Sequence, residues 1–216
     1  EHNKAAKNEL IADRILSGES CALVTDAGMP AISDPGQELV DHCLARGVAV
    51  ESVPGPSALI TALAISGMPS GRFSFEGFLS VNKVQRAEHL ALVKDDPRTL
   101  IFYEAPHKLT ATLAAMLREF GDREIALVKE LTKLHETVER TTLAAAAEKY
   151  ADEEPRGEYV IIVHGAEKRE QSEYSLSDAV ELAKKYKNEG MGASNAAKLA
   201  ASETGFKKSD IYKELL

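Results

Sequence analysis

Twice within residues 21–66 a short apolar run passes into a loop rich in glycine and proline and then into a helical pattern, and this alternation constrains the fold more than any other feature. The first pass is the run 21–25, the loop Asp26-Ala27-Gly28-Met29-Pro30 continuing through Ser33-Asp34-Pro35-Gly36, and a helix over 37–46. The second is the β-like run 48–53, the turn Pro54-Gly55-Pro56-Ser57, and an apolar helix over 58–66. Repetition of strand, loop and helix predicts a parallel sheet with helices on its faces. Ligands of such sheets sit beyond the carboxyl ends of the strands, where both loops fall.

A helical pattern over 5–16 precedes the first pass, and residues 67–77, with Phe73, Phe75 and then Phe78 interleaved among Gly, Pro and Ser, read as a crossing between domains. The pattern then restarts: a helix over 84–94, a strand over 99–103, the loop Glu104-Ala105-Pro106-His107, a helix over 108–120 and a strand over 124–129. A strand-like run over 137–142, a helix over 143–150 and a strand over 159–164 complete a second α/β layer. The expected organisation is an N-terminal α/β domain over 1–71, a second α/β domain over 72–165, and a linker with a helical extension over 166–216.

The extension differs in kind. After a charged, apolar-poor stretch at 167–174 that reads as a linker, Ser177 caps a helix to 188, Gly190 and Gly192 break it, and Ser194 caps a second helix to 203. Gly205 then precedes a short third helix from near 209. Lys184, Lys185, Lys187, Lys198, Lys207 and Lys208 face only Glu189 and Glu203 between them. On a chain of net charge −8, attraction of the whole surface to phosphate is excluded, so contact with nucleic acid must be local, and this basic extension is the candidate for it.

The 44% hydrophobic and 28% charged fractions are those of a folded globular protein. Cys21 and Cys43 show neither CxxC spacing nor a neighbouring histidine set, and read as two buried thiols of a reducing cytoplasm with no metal site. No run approaches the ~18 apolar residues of a membrane span, and the beginning lacks the pattern of a signal peptide, so a cytoplasmic address away from membranes is expected.

Several residues can carry chemistry. In the first loop the small residues allow a ligand close to the backbone and Asp26 offers a carboxylate, but a tight turn with Asp26 as its local hydrogen-bond partner explains the pattern equally well. The Pro54–Ala58 turn can present N–H groups at a helix start, or be a rigid proline turn ending in a Ser cap. Neither loop matches the dinucleotide or P-loop fingerprints. Glu104 and His107 flank Pro106 at a strand end, where side chains can point into a crevice; helix capping by Glu104 and a packing role for His107 are the alternatives. Lys129, Glu130 and Lys133 end the next strand, where they can approach phosphate or activate a hydroxyl, or form a solvated charge run.

Their ordered succession is more specific than any member. Val24-Thr25-Asp26-Ala27-Gly28-Met29-Pro30-Ala31-Ile32-Ser33-Asp34-Pro35-Gly36, then Val53-Pro54-Gly55-Pro56-Ser57-Ala58, then Phe102-Tyr103-Glu104-Ala105-Pro106-His107-Lys108-Leu109 resembles the tetrapyrrole-methylase superfamily. Within it the likeness is to the branch of ribosomal RNA small subunit methyltransferase I, which 2′-O-methylates a cytidine, and it runs from Glu1 through His164. The resemblance implies two α/β domains with S-adenosylmethionine in the cleft between them, leaving as S-adenosylhomocysteine. Asp26, Ala27 and Gly28 would line its methionine part with Ala31 and Ile32 nearby; Ser57 and Ala58 would form the second donor loop, and Glu104 and Leu131 the contacts from the second domain.

Where porphyrin-type relatives carry Gly-Asp-Pro this chain has Ala27-Gly28-Met29, which favours the ribosomal RNA branch, and the three-helix tail is similar to that branch's RNA-holding extension. The family begins with a strand and loop that this chain starts after, so the expectation is an incomplete N-terminal sheet. The implied reaction is metal-free transfer to a ribose 2′-hydroxyl of small-subunit ribosomal RNA within the assembled subunit, by a homodimer, with Glu104, Lys129, Glu130 and Lys133 as candidate proton acceptors. Rival expectations are methylation of a tetrapyrrole or a protein side chain, and an RNA-binding module without catalysis.

Overall fold

The computed structural model describes residues 2–167 and 174–215, and the chain divides into two compact units, Glu1–Ala166 and Glu167–Leu216. The linker expected over 167–174 lies almost wholly outside the described residues.

The first unit runs α1 (His2–Leu16), α2 (Gln37–Ala45), α3 (Ala58–Ser66), β1 (Phe73–Phe78), α4 (Lys83–Val93), β2 (Thr99–Glu104), α5 (Pro106–Phe120), β3 (Glu124–Lys129), β4 (Thr137–Thr142), α6 (Leu143–Asp152) and β5 (Tyr159–Val163). The strands form one sheet in the order β1-β2-β5-β3-β4. Only β1 and β2, joined through the helical crossover α4, are parallel; β2–β5, β3–β5 and β3–β4 are antiparallel. The connection between β3 and β4 spans only residues 130–136, too short for the crossover a parallel neighbour needs, so it reverses the chain.

Both faces of this sheet are covered. On one, α3 brings Leu59, Ala62 and Leu63 against Ile101, Ala126, Val128, Val160 and Ile162. On the other, Leu90 of α4, Leu109, Leu113 and Met116 of α5 and Leu143 of α6 meet Leu100, Phe102, Ile125, Leu127, Ile161 and Val163. Strands buried on both faces have no polar side to alternate with, which explains the unbroken apolar runs in β3 and β5.

The first part of this unit departs from expectation. Residues 21–25 and 48–53 form no regular element and pair with no strand among the described residues, and Val24 and Val53 stand 80% and 85% exposed. An apolar run becomes a strand only when a neighbour supplies the ladder, and no described residue does so. What holds this region is a small cluster of Ala12, Cys43 and Val48 between α1 and α2, with Arg46 paired to Glu9 at 2.9 Å and Asp13 at 2.7 Å. Cys43 is buried as expected, but Cys21 lies on one of the open runs and is exposed. Residues 73–78, expected as part of a crossing, are a strand because β2 offers them an edge.

The second unit consists of α7 (Leu176–Asn188), α8 (Ala193–Thr204) and α9 (Lys208–Leu215) around Ala179, Val180, Ala183, Ala196, Ala197, Ala200, Ile211 and Leu215. Alanines at the contacts let the helices approach closely, and Tyr186 donates its hydroxyl to Glu203 at 2.7 Å. The caps differ from those expected. Ser175 and Asp178 form a capping box at the start of α7, leaving Ser177 inside the helix, and Gly192 rather than Ser194 is the N-cap of α8. All six lysines from Lys184 to Lys208 are exposed.

Candidate functional site

Period-two alternation in β2 divides the candidates between two faces. Glu104 follows Leu100 and Phe102 onto the α5 face, and its register partner Tyr159 pairs in turn with Lys129, so Glu104, Tyr159 and Lys129 form one row on that face. Tyr103 points the opposite way with Ile101, into the α3 cluster that also contains Leu131. The crevice position expected for Glu104 is therefore not found. Its carboxylate is buried, accepts the Ala105 N–H at 2.9 Å and the Thr112 hydroxyl at 2.6 Å, and lies 3.4 Å from Lys108 Nζ. These bonds fasten the β2–α5 turn without capping the helix, whose N-cap is Ala105 with no side-chain capping bond.

Ser57, Ala58 and Leu131 share the α3 face with a residue that was not singled out. The Tyr103 hydroxyl accepts the backbone N–H of Leu59 at 3.0 Å, in the first turn of α3. Its ring meets Phe75 and Phe78 edge-on at 4.9 and 5.5 Å, and burial holds its hydroxyl protonated, with the pKa above the ordinary phenol value. The signal was present in the sequence: Tyr103 occupies the other parity of the strand from Glu104.

The first two loops abut. A Cβ on Gly28 would lie 3.6 Å from the Pro56 carbonyl oxygen, and one on Gly55 would lie 3.2 Å from the Met29 sulfur. The first loop is closed by the Thr25 hydroxyl donating to Asp34 at 2.8 Å, so Asp34 serves as the turn's internal acceptor and Asp26 stays exposed. Ser57 caps α3 by position only, because its side chain makes no capping bond.

The third loop, 130–136, is built around Glu130. Its carboxylate accepts the Glu158 N–H at 2.8 Å and Lys133 Nζ at 3.0 Å, while Lys133 also reaches Glu158 at 2.9 Å. The Glu158 amide and then Lys133 hold Glu130 below the ordinary carboxylate range, and Glu158 and Glu130 together raise Lys133. Both shifts run the wrong way for a proton acceptor at neutral pH. Gly157 is required beside them, since a Cβ there would come within 2.5 Å of the Glu130 side chain.

Ala31, Glu130 and Thr132 have φ of 63°, 51° and 66°, a region that costs an L-residue of order 1 kcal/mol. One lies in the first candidate loop and two flank Leu131, so the strained non-glycine positions among the described residues all border candidate donor contacts. Strain of this kind persists where surrounding structure fixes a loop, as at ligand sites. Among the described residues no group of three His, Cys, Asp or Glu can hold a metal ion.

The family model for Tetrapyrrole (Corrin/Porphyrin) Methylases matches residues 1–147. The chain is 45% identical over 214 residues to the Ribosomal RNA small subunit methyltransferase I of Xylella fastidiosa, covering 98% of this chain and 77% of that one. It is 42% identical over 216 residues to the protein of the same name from Vibrio cholerae, covering 99% and 74%. Among solved structures, uroporphyrin III C-methyl transferase from Thermus thermophilus aligns with a TM-score of 0.52 at 23% identity, over 76% of this chain and 73% of that one. Diphthine synthase aligns with a TM-score of 0.53 at 13% identity, over 76% and 67%. These two likenesses concern the fold alone. From the matched family model and the identity across nearly its whole length, the chain belongs to the tetrapyrrole methylase family.

Proposed function

We propose that the protein transfers the methyl group of S-adenosylmethionine to the ribose 2′-hydroxyl of a cytidine in small-subunit ribosomal RNA. The observation that carries the reading is the 45% identity over 98% of the chain, which extends past residue 147 into the helical unit that the family model leaves out. Similarity confined to the methylase core would have left the substrate class open.

In this reading Asp26, Ala27, Gly28, Ala31 and Ile32 of the first loop, Ser57 and Ala58 of the second and Leu131 of the third hold the donor. Small residues at Ala27, Gly28 and Ala58 leave the backbone accessible, the Ser57 hydroxyl makes no capping bond, and Leu131 belongs to the apolar cluster under α3, a set that fits a ligand with polar ends and an apolar middle. The sulfonium supplies an activated methyl and a neutral leaving group, so the chain has to orient the hydroxyl, exclude water and accept a proton. Of the four charged candidates, Glu104, Glu130 and Lys133 are committed to structural bonds. Lys129 shares the α5 face with Glu104 and Tyr159, away from Ser57, Ala58 and Leu131, so none of the four stands beside the donor contacts as a proton acceptor and orientation of the hydroxyl carries the larger share. Glu104 acts from behind, by fixing the strand end. The exposed lysines of α7–α9 hold RNA phosphates. The substrate is ribosomal RNA within the assembled small subunit, modified in the cytoplasm by a homodimer. No helix among the described residues is long and apolar enough to cross a membrane.

The test is incubation of the protein with methyl-labelled donor and unmethylated small subunits, followed by nuclease digestion and mass spectrometry of the nucleosides. Label in 2′-O-methylcytidine is expected. Label in a tetrapyrrole or protein instead would replace the substrate, and an absence of transfer to any of the three would return the chain to an RNA-binding role. Removing residues 167–216 should reduce RNA affinity and leave donor binding intact.

A further inference from the structure

We propose that Tyr103 and Arg140 are positioning residues that fix α3 at its two ends and thereby hold the Ser57–Ala58 loop in register with the first loop. The inference rests on the donor-binding role given above to Ser57 and Ala58.

The need arises from the sequence of α3. Ala58–Ser66 is ALITALAIS, with no acidic residue in its first turn and no basic residue in its last, and the Ser57 side chain makes no capping bond. A helix leaves up to four N–H and four C=O groups without partners at its ends, and of these the side chains of α3 serve the Leu63 carbonyl, which accepts from the Ser66 hydroxyl at 2.8 Å. Further caps at both ends come from the sheet. At the amino end the Tyr103 hydroxyl, on β2, accepts the Leu59 N–H at 3.0 Å from 44 residues away in sequence. At the carboxyl end Arg140, on β4, donates from Nε to the Ser66 carbonyl at 2.8 Å and from Nη2 to the Ile65 carbonyl at 2.6 Å. The guanidinium also places positive charge at the negative end of the helix dipole.

Apolar packing against Ile101, Val128 and Ile162 presses α3 onto the sheet but leaves sliding along its axis weakly opposed, because dispersion contacts are individually small and lack direction. Hydrogen bonds at opposite ends, to strands β2 and β4 of the same sheet, oppose sliding either way. The amino end matters for function, since Leu59 follows Ala58 directly. The turn leading into this end of α3 is also where the two loops meet, since a Cβ on Gly28 would lie 3.6 Å from the Pro56 carbonyl oxygen. Taking over the amide from a side chain 44 residues distant leaves the Ser57 hydroxyl to face a ligand.

The experiment compares wild type with Tyr103→Phe, which keeps the ring and removes the acceptor, and with Arg140→Gln and Arg140→Lys. Amide hydrogen exchange at Leu59 is followed by NMR, donor affinity by calorimetry with S-adenosylmethionine, and RNA affinity separately. One neutral hydrogen bond corresponds to roughly 3- to 10-fold. Tyr103→Phe should speed Leu59 exchange by about that factor, weaken donor binding similarly, raise KM for the donor with little change in kcat at saturation, and leave RNA affinity unchanged. Arg140→Gln should weaken donor binding less, and Arg140→Lys should recover part of the loss by satisfying one carbonyl.

Unaltered Leu59 exchange in Tyr103→Phe would overturn the tether, and faster exchange with unaltered donor affinity would overturn its link to the site; either result leaves the methyltransferase reading standing. A wild type that takes up no donor would overturn that reading and this inference together.

Discussion

Residues 21–53 and the sheet of residues 73–163 begin from the same kind of sequence and end differently. Both hold short runs of Val, Ile and Leu between turns. In the sheet those runs lie between two helical layers, and Ile101 and Ile161 are wholly inaccessible to solvent; in the earlier region Val24 and Val53 are among the most exposed apolar residues of the chain. Intrinsic preference for extended backbone is common to both. What the runs 21–25 and 49–53 lack among the described residues is a neighbouring strand for their backbone and a cover for Val24 and Val53, and these two terms decide whether a strand forms.

The largest test of this contrast is Phe102→Ala in β2. Phe102 is fully buried among Leu90, Leu109 and Leu113, and its loss should cost about 3–5 kcal/mol in urea unfolding followed by circular dichroism. Glu104→Gln follows, at about 1–3 kcal/mol, because a buried carboxylate with two accepted hydrogen bonds and a nearby ammonium would lose its charge and face Thr112 or Ala105 with a donor. A Glu104→Gln variant that kept full stability but lost methyl transfer would show that the carboxylate serves the reaction rather than the turn. Gly157→Ala should cost about 1–2 kcal/mol, since it combines a φ of +79° with a Cβ 2.5 Å from the Glu130 side chain, and should raise hydrogen exchange across residues 130–136.

How far the sequence could be read follows from the same physics. β3 and β4 were legible with their observed bounds, and α3 likewise, because periodicity and the flanking Gly and Pro mark them locally. Pairing was not legible. The antiparallel placement of β5 between β2 and β3 depends on contacts far apart in the chain, as does the recruitment of Phe73–Phe78 to the edge beside β2. At the site, the turn chemistry of Gly28 and the Pro54–Ser57 loop could be read directly. The opposite facing of Glu104 and Tyr103 was available from strand parity but lay hidden under the motif, which treats adjacent residues as one unit. The bonds from Glu130 to Glu158 and from Arg140 to Ile65 and Ser66 join residues 28, 75 and 74 positions apart, and no local pattern announces them.

The third loop offers a comparison by pH. Glu130 titrates below the ordinary carboxylate value of 4.5 in the folded chain, so its contribution is fully present above that value and is lost as pH falls through the depressed one. Lys133 titrates above its ordinary 10.5, so its contribution is present below that value and fades as pH rises through the raised one. Between pH 5 and 10 hydrogen exchange at Glu158, whose amide donates to the Glu130 carboxylate, corrected for the intrinsic rate, should therefore be flat, and it should rise only as pH falls below 4.5. A change near pH 7 would mean that a group other than these two controls the loop.

The smallest expected effect is Val53→Ala. With 85% of the side chain in solvent and no ladder around it, the substitution removes little buried area, and unfolding free energy should change by less than about 0.5 kcal/mol. The informative part is the size relative to Phe102→Ala, measured in the same buffer on the same protein. A cost above about 1 kcal/mol at Val53 would correspond to burying more than a methylene's worth of apolar surface, and would require that residues 48–53 be covered in solution. In that event the two regions would differ in what covers them rather than in whether they are covered, and the same measurement on Val24→Ala would tell whether the 21–25 run shares the cover.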